Sequence, residues 1–302
     1  MSAGERRVVI VSGAGKGLGR AYAHCLAQQG AAVVVNNHRH ASDAEPSADA
    51  VVREIRDAGG RAVAHYGDAG DPASGESLLA LALDAFGRLD AVIANAGIAE
   101  AATFSRQEPA QFFRTVEINL LGSAYLLLPT FRHLYQQRSG QVLLSTSAAG
   151  LYGEHGLPGY SAAKAGLIGL MRSLALEGRS HDVYVNAIAP FAHTQMTADT
   201  LQAASVPGLA PEEVAPVAAR LVAADCRLSG EVIIAGGGRL ARAGVRCSEV
   251  VTAAADSIAA DLDRLASAPL DRGFDGAVAM FRHFAGVDSP APRAPSQGGD
   301  ES

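Results

Sequence analysis

A chain of 302 residues, 48% of them hydrophobic, can bury a full core in one large domain or two small ones. Its formal charge of -6 comes without any run of Lys or Arg, which removes the electrostatic footprint of a nucleic-acid binder. Its three cysteines, Cys25, Cys226 and Cys247, match no metal or disulfide spacing, and no apolar run is long enough to span a bilayer, so a metal-free cytoplasmic protein is expected.

The first element is a short β-branched run, Arg7 to Val11, followed by SGAGKGLG and then RAYAHCLAQQG, a helix closed by Gly30. Gly13, Gly17 and Gly19 remove side chains where a backbone must turn tightly and approach a diphosphate at a helix N-terminus. A strand before and a helix after give that spacing its meaning as a dinucleotide loop. The second strand, AAVVVNNHRH, ends on Asn37 where dinucleotide folds usually carry an acidic residue for the ribose diol. With Arg39 beside it and Lys16 in the glycine loop, a 2′-phosphate would be tolerated or attracted, which favours NADP(H) and leaves NAD(H) possible. The alternative is that Arg39 and Lys16 are solvated surface charges.

A polar loop from Ser42 to Ala50 leads to an amphipathic helix, VVREIRDAGG, and a third strand in RAVAHYGDAGD with Asp68 at its exit. The helix SLLALALDAFGRLD and the strand AVIANAG follow, the latter stopping at Asn95, Ala96 and Gly97. Strands that read as continuous apolar runs, alternating with helices, predict an α/β fold: a Rossmann-type doubly wound parallel sheet with helices on both faces.

Glu108 to Arg138 reads as one long helical stretch with a kink near Pro129. Asn119 on its apolar face either satisfies backbone locally or holds a water at a site. The strand QVLLSTS delivers Ser147 at its carboxyl end, where open α/β sheets bind ligands. Thirteen positions later comes Tyr160, and four beyond it Lys164, one turn along the helix GYSAAKAGLIGLMRSLALE. A tyrosine titrates near pKa ~10, and a fixed ammonium beside it would lower that value and make the phenol a proton donor and acceptor near neutrality. Glu154, His155 and His193 read as substrate-selecting or as solvated loop residues, and Cys25 as a small packed residue.

The chain continues through the strand VYVNAIAP, a loop from Phe191 to Pro211 without Lys or Arg, a helix near Glu212 to Ala224, and the strand EVIIAGGG. Two helices are expected between Ala241 and Asp288, and the Pro- and Gly-rich stretch from Ser289 reads as a disordered tail. The expected organisation is a single domain over 1–240, a C-terminal helical extension over 241–288 and the tail over 289–302.

With SGAGKGLG, ANAG, Asn119, Ser147 and YSAAK in this order, the sequence resembles the classical short-chain dehydrogenase/reductase family from Arg7 to about Leu240. GAGKGLGRAYA, SLALEGR and NAIAPFAHTQMT are most similar to the (3R)-hydroxyacyl-CoA dehydrogenase units of multifunctional enzyme type 2 and their bacterial single-domain relatives. The resemblance implies Tyr160 as general acid/base, Ser147 as hydrogen-bond donor to the substrate oxygen, and Lys164 on the nicotinamide ribose and lowering the tyrosine. Asn119 would hold a water that links Lys164 to solvent. Ser12, Gly13, Gly17, Leu18 and Gly19 would wrap the diphosphate, Asp68 and Ala69 would meet the adenine, and Asn95, Ala96 and Gly97 would brace the pocket. Pro190 and Thr194 would border the nicotinamide. Ser12 replaces the usual Thr, and Asn37 the Asp of the NAD-using relatives.

The implied activity is NAD(P)(H)-dependent interconversion of a small-molecule ketone and a secondary alcohol, with a 3-hydroxyacyl or 3-oxoacyl thioester as substrate. A polyketide-like or other secondary-metabolite ketone is the rival substrate, and a non-catalytic dinucleotide-binding sensor or scaffold the rival class. Apolar excess in LLGSAYLLLP and GLIGLM suggests a homodimer or homotetramer.

Overall fold

The computed structural model describes residues 7–39, 47–194, 209–252 and 257–286. The chain divides into two units, Met1–Ala243 and Gly244–Ser302. In the first, the strands are β1 Val8–Val11, β2 Ala32–Asn36, β3 Arg61–His65, β4 Ala91–Ala94, β5 Gly140–Ser145, β6 Val183–Pro190, β7 Val232–Gly236 and β8 Arg239–Ala243. They form one sheet in the order β3-β2-β1-β4-β5-β6-β7-β8. Every pairing is parallel except that of β7 with β8. The doubly wound parallel sheet expected from the apolar runs is therefore the architecture found.

Side chains of one strand alternate between the two faces. Val9 and Val11 of β1 face α1 (Gly17–Gln28), α2 (Ser47–Asp57) and α8 (Pro211–Leu221). Val8 and Ile10 face α3 (Ser74–Phe86), α5 (Gly122–Gln137) and α7 (Pro158–Gly178). Both faces of each inner strand are buried, which is why those strands read as unbroken apolar runs rather than as alternation. Two shorter helices, α4 (Pro109–Val116) and α6 (Ala148–Tyr152), lie beside the carboxyl ends of β4 and β5.

The stretch expected to kink near Pro129 is interrupted elsewhere. A π-helical turn over Glu117–Leu121 separates α4 from α5, whereas α5 runs on through Pro129 to Gln137. Pro129 has no N–H for the carbonyl four residues back, that of Tyr125. Gly75 of α3 packs directly on that carbonyl oxygen, so closely that a Cβ at Gly75 would overlap it. The helix thus continues past the proline with a small residue packed against that carbonyl.

Three boundaries differ from expectation. The loop drawn from Ser42 to Ala50 ends earlier, because α2 begins at Ser47. The helix placed near Glu212 to Ala224 is α8, Pro211–Leu221. The sheet continues through β8 to Ala243, three residues beyond the expected boundary at 240. The tail expected over 289–302, and most of the loop from Phe191 to Pro211, lie outside the described residues.

In the second unit, α9 (Ile258–Ala266) and α10 (Ala277–Phe284) each carry no buried residue, and a single bridge joins Cys247 to Arg272. Among the described residues of both units, no helix is long and apolar enough to cross a membrane.

Candidate active site

A cleft of about 670 Å³ opens along the carboxyl ends of the parallel strands, spanning the point where strand order reverses between β1 and β4. Open α/β sheets bind ligands at that position. Of the residues singled out from sequence, Gly13, Lys16, Gly17, Leu18, Asn37, Asp68, Ala69, Asn95, Ala96, Gly97, Asn119, Ser147, Tyr160, Lys164, Pro190 and Thr194 line it. Ser12, Gly19 and Arg39 do not.

The glycine loop forms one end. Gly13 and Gly17 hold φ of 62° and 53°, left-handed values that favour glycine. A Cβ at Gly13 would stand 2.7 Å from the Cα of Ala96, so the loop lies directly on the end of β4. Lys16 precedes α1 without a side-chain cap, and the first turn of α1 carries no acidic residue. Its N-terminal N–H groups and the positive end of its dipole are thus available to an anion. The Thr194 methyl lies 3.3 Å from where a Gly17 Cβ would be, which puts Thr194 beside this loop.

Ser12 is buried under the loop. Its Oγ accepts from the Asn95 and Ala96 N–H groups at 3.0 and 3.1 Å. Asn95 Nδ2 donates to the carbonyls of Ser12 and Gly13, and Asn95 Oδ1 accepts from the Ser145 hydroxyl at 3.1 Å. Asn95 thereby joins the ends of β1, β4 and β5.

At the ribose end, Asn37 spends its amide internally. Its Nδ2 donates to the His38 carbonyl and to Ser47 Oγ, at 3.2 and 2.8 Å, and its Oδ1 faces the Gly15 N–H at 3.4 Å. Arg39 is exposed and outside the lining, which departs from its expected place; besides Lys164 at the far end, the basic side chains on the wall are Lys16, Arg20, His38 and Arg114. Arg114, in FFRTVE, carries no sequence motif, and only the fold brings it to Asp68 at 3.3 Å. Burial pushes the Asp68 carboxyl up, but the Gly70 N–H, Arg114 and His38 outweigh it and hold it below the usual range.

At the other end, Ser147 accepts from the Ala149 N–H at 3.1 Å and so caps α6. The same hydroxyl is near enough to the Tyr160 phenol to act on its titration. Lys164 is 4% exposed, its Nζ donates to the Ser145 carbonyl at 2.8 Å, and it lies 5.5 Å from the Tyr160 ring centroid. Burial pushes the Tyr160 phenol up from its ordinary value, with the Ser147 hydroxyl pulling the other way. The lowering expected from Lys164 is not what this geometry produces. Burial also brings the ammonium itself down to about 8.

Asn119 sits in the π turn, fully buried. Its Nδ2 donates at 2.8 Å to both the Ile98 and Thr115 carbonyls, so it does satisfy backbone locally. Its Oδ1 is buried without a protein partner, and a Cβ at Gly97 would lie 2.5 Å from it and 3.5 Å from Lys164 Nζ. An orphaned acceptor beside a buried ammonium is a site for a bridging water. Glu154, His155 and His193 are exposed and outside the lining.

The pocket's parts fit a nicotinamide dinucleotide: a side-chain-free loop at an uncapped helix N-terminus, a polar floor, and a phenol and an ammonium at the far end. A phenol paired with a hydroxyl can exchange a proton with a substrate oxygen.

The family model for short chain dehydrogenases matches residues 7–204. A Mycobacterium tuberculosis protein named as a short-chain type dehydrogenase/reductase is 41% identical over 242 residues, 79% of this chain and 85% of that one. Mouse peroxisomal multifunctional enzyme type 2 is 41% identical over 238 residues, 78% of this chain but 32% of that protein, so the chain spans about a third of its length. A crystal structure of a short chain dehydrogenase from Mycobacterium avium superposes with a TM-score of 0.78 at 31% identity, covering 87% of this chain and 95% of that one.

Proposed function

Because the chain belongs to the short-chain dehydrogenase family, and so is an oxidoreductase of CH–OH groups, we propose that it interconverts a 3-oxoacyl and a 3-hydroxyacyl thioester with NADP(H) as the favoured dinucleotide. The observation that carries this reading is the convergence of Ser147, Tyr160 and Lys164 at the cleft's end, with Lys164 one turn from Tyr160. The bound dinucleotide supplies or accepts the hydride at carbon.

The chain's own residues handle the oxygen. In reduction Tyr160 gives its proton to the carbonyl oxygen as that oxygen gains charge, while Ser147 donates a hydrogen bond to the same atom. The phenolate left behind is stabilised by the Lys164 ammonium. It regains a proton from solvent through Lys164 and a water on Asn119 Oδ1, the orphaned acceptor described above. Oxidation runs the same path backwards. NADP(H) is supported by Asn37 standing where an acidic side chain would repel a 2′-phosphate, with Lys16 on the same wall. The thioester is supported by the likeness to multifunctional enzyme type 2. Phe113, Leu121 and Leu128, exposed on α4, the π turn and α5, support a homodimer or homotetramer.

The test is reduction of acetoacetyl-CoA with NADPH, followed by loss of nicotinamide absorbance, in wild type and Tyr160→Phe. Turnover should fall at least about 100-fold in the variant while its dinucleotide affinity holds. Full turnover by Tyr160→Phe overturns the mechanism. Reduction of free ketones but not of the thioester moves the substrate to the former class.

A further inference from the structure

The adenosine end of the cleft rests on a side chain that no motif marks. His65, the last residue of β3, pairs laterally with Asn36 of β2. Asn36 is 3% exposed, and its amide orientation is fixed because Nδ2 donates to the Gly67 carbonyl at 2.9 Å. The second hydrogen of Nδ2 then points to His65 Nδ1, 3.0 Å away. The Gly67 N–H converges on the same ring nitrogen at 3.2 Å. Two donors therefore meet at Nδ1, which has to be the unprotonated, accepting nitrogen. Nε2 carries the hydrogen and faces Ser77 Oγ at 2.9 Å, and Ser77 donates onward to the Ser74 carbonyl.

This network holds the cleft from below. Asn36 and Gly67 both line it, as do Asp68 and Ala69 in the turn that follows. The Asn36 carbonyl accepts from the Ala14 N–H of the glycine loop at 2.7 Å, and the His65 carbonyl accepts from Asn37 at 3.0 Å. Ser74 Oγ donates to the Asp68 carbonyl at 2.6 Å, which pins the turn from the α3 side.

We propose that neutral His65 is a positioning residue for dinucleotide binding, and that protonating it at Nδ1 weakens that binding. A proton there would bring three donors, Nδ1–H, Asn36 Nδ2–H and Gly67 N–H, to one point with no acceptor. The Gly67–Ala69 turn and the Asn36 amide would both have to move.

Among the described residues no carboxylate forms an ion pair with His65; Glu76 and Asp84 of α3 are exposed, and burial is the one cause of the ring's shift. Asn36, Ser77 and Ser74 are neutral. Of the charged groups on the packed elements, Asp49 of α2 accepts from the Tyr66 hydroxyl, Arg56 of α2 donates to the Ala62 carbonyl and Glu54 is held by Arg20 and His24. Asp68 is engaged by Gly70 and Arg114. Burial alone pushes the His65 imidazole below its ordinary value. The folded ring therefore takes its proton only as pH falls below the ordinary imidazole value of ~6.5, and the dinucleotide-competent form is lost there.

The inference rests on the reading of the cleft as a dinucleotide site. NAD and NADP are titrated calorimetrically into wild type, His65→Asn and His65→Phe between pH 7.5 and 5.5, with far-ultraviolet dichroism checking the fold. Asn keeps an acceptor near the place of Nδ1 without a titrating ring. The dissociation constant of wild type should rise about threefold or more on going from pH 7.5 to 5.5, while that of His65→Asn changes by less than about 1.5-fold. His65→Phe should bind weakly throughout. Comparing proteins against one ligand cancels the ligand's own titration. Equal pH dependence in wild type and His65→Asn overturns this proposal alone. Absence of any dinucleotide binding by wild type at pH 7.5 overturns the reading of the cleft and the proposal with it.

Discussion

The ammonium of Lys164 donates to the carbonyl oxygen of Ser145 at 2.8 Å, a bond that runs from the second turn of α7 to the last residue of β5. It gives the buried cation its one short protein acceptor among the hydrogen bonds described, and it fixes where the side chain lies relative to Tyr160. It supplies no counter-charge, so burial still disfavours the charged form.

That imbalance predicts a stability profile. Lys164 titrates at about 8 in the folded chain against 10.5 when free. Between those values the unfolded chain holds a proton that the folded chain has released, so this group's contribution to stability rises with pH across that window. Urea unfolding of wild type and Lys164→Met should show the wild type gaining on the variant by about 3 kcal/mol from pH 8 to pH ~10.5. A constant difference would mean that Lys164 is not desolvated as described.

Gly75 and Tyr125 predict a packing defect. Ala is favoured over Gly inside a helix by about 1 kcal/mol. At this position, however, its Cβ would overlap the Tyr125 carbonyl oxygen, which is backbone and cannot swing aside. The clash outweighs the propensity, and Gly75→Ala should lose about 1–3 kcal/mol in chemical denaturation. An unchanged or raised midpoint would show that α3 and α5 separate freely.

The placement of cations predicts which one reads the dinucleotide. Lys16 lines the cleft and Arg39 does not. Lys16→Ala should raise the KM for NADPH about tenfold and that for NADH far less, since a charge-assisted bond to a phosphate is worth roughly 1.5–3 kcal/mol. Arg39→Ala should leave both KM values within about twofold. A large NADPH-specific loss in Arg39→Ala would reverse the assignment.

The sequence carried the sheet because its strands are buried on both faces, and VVIV, AVVVN and AVIA can hardly be read otherwise. The glycine loop and the Ser147, Tyr160 and Lys164 spacing were legible for a similar reason: each is local, with its partners fixed by one element or one turn. What was not legible depends on distant packing. EINLLG has the same apolar spacing whether its turn is α or π, and nothing in the sequence near Pro129 reveals that Gly75 sits on Tyr125. Arg114 and His65 acquire their partners from other strands and helices. The direction of the Tyr160 shift follows from burial, which neighbouring sequence does not encode.

β8 lies against β7 from Arg239 opposite Gly236 to Ala243 opposite Val232, and it is the one antiparallel strand of the sheet. A sheet ending at β7 would present VIIAG, flat and apolar, as an open rail of N–H and C=O groups on which another chain could polymerise. With β8 in place that rail is RLARA. A strand docking there would have to desolvate the guanidinium of Arg239 and break the 3.3 Å ion pair of Arg242 with Glu231. The hairpin thus works as a terminator of strand growth, and deleting it should leave β7 open to edge-to-edge association, read as material lost on centrifugation.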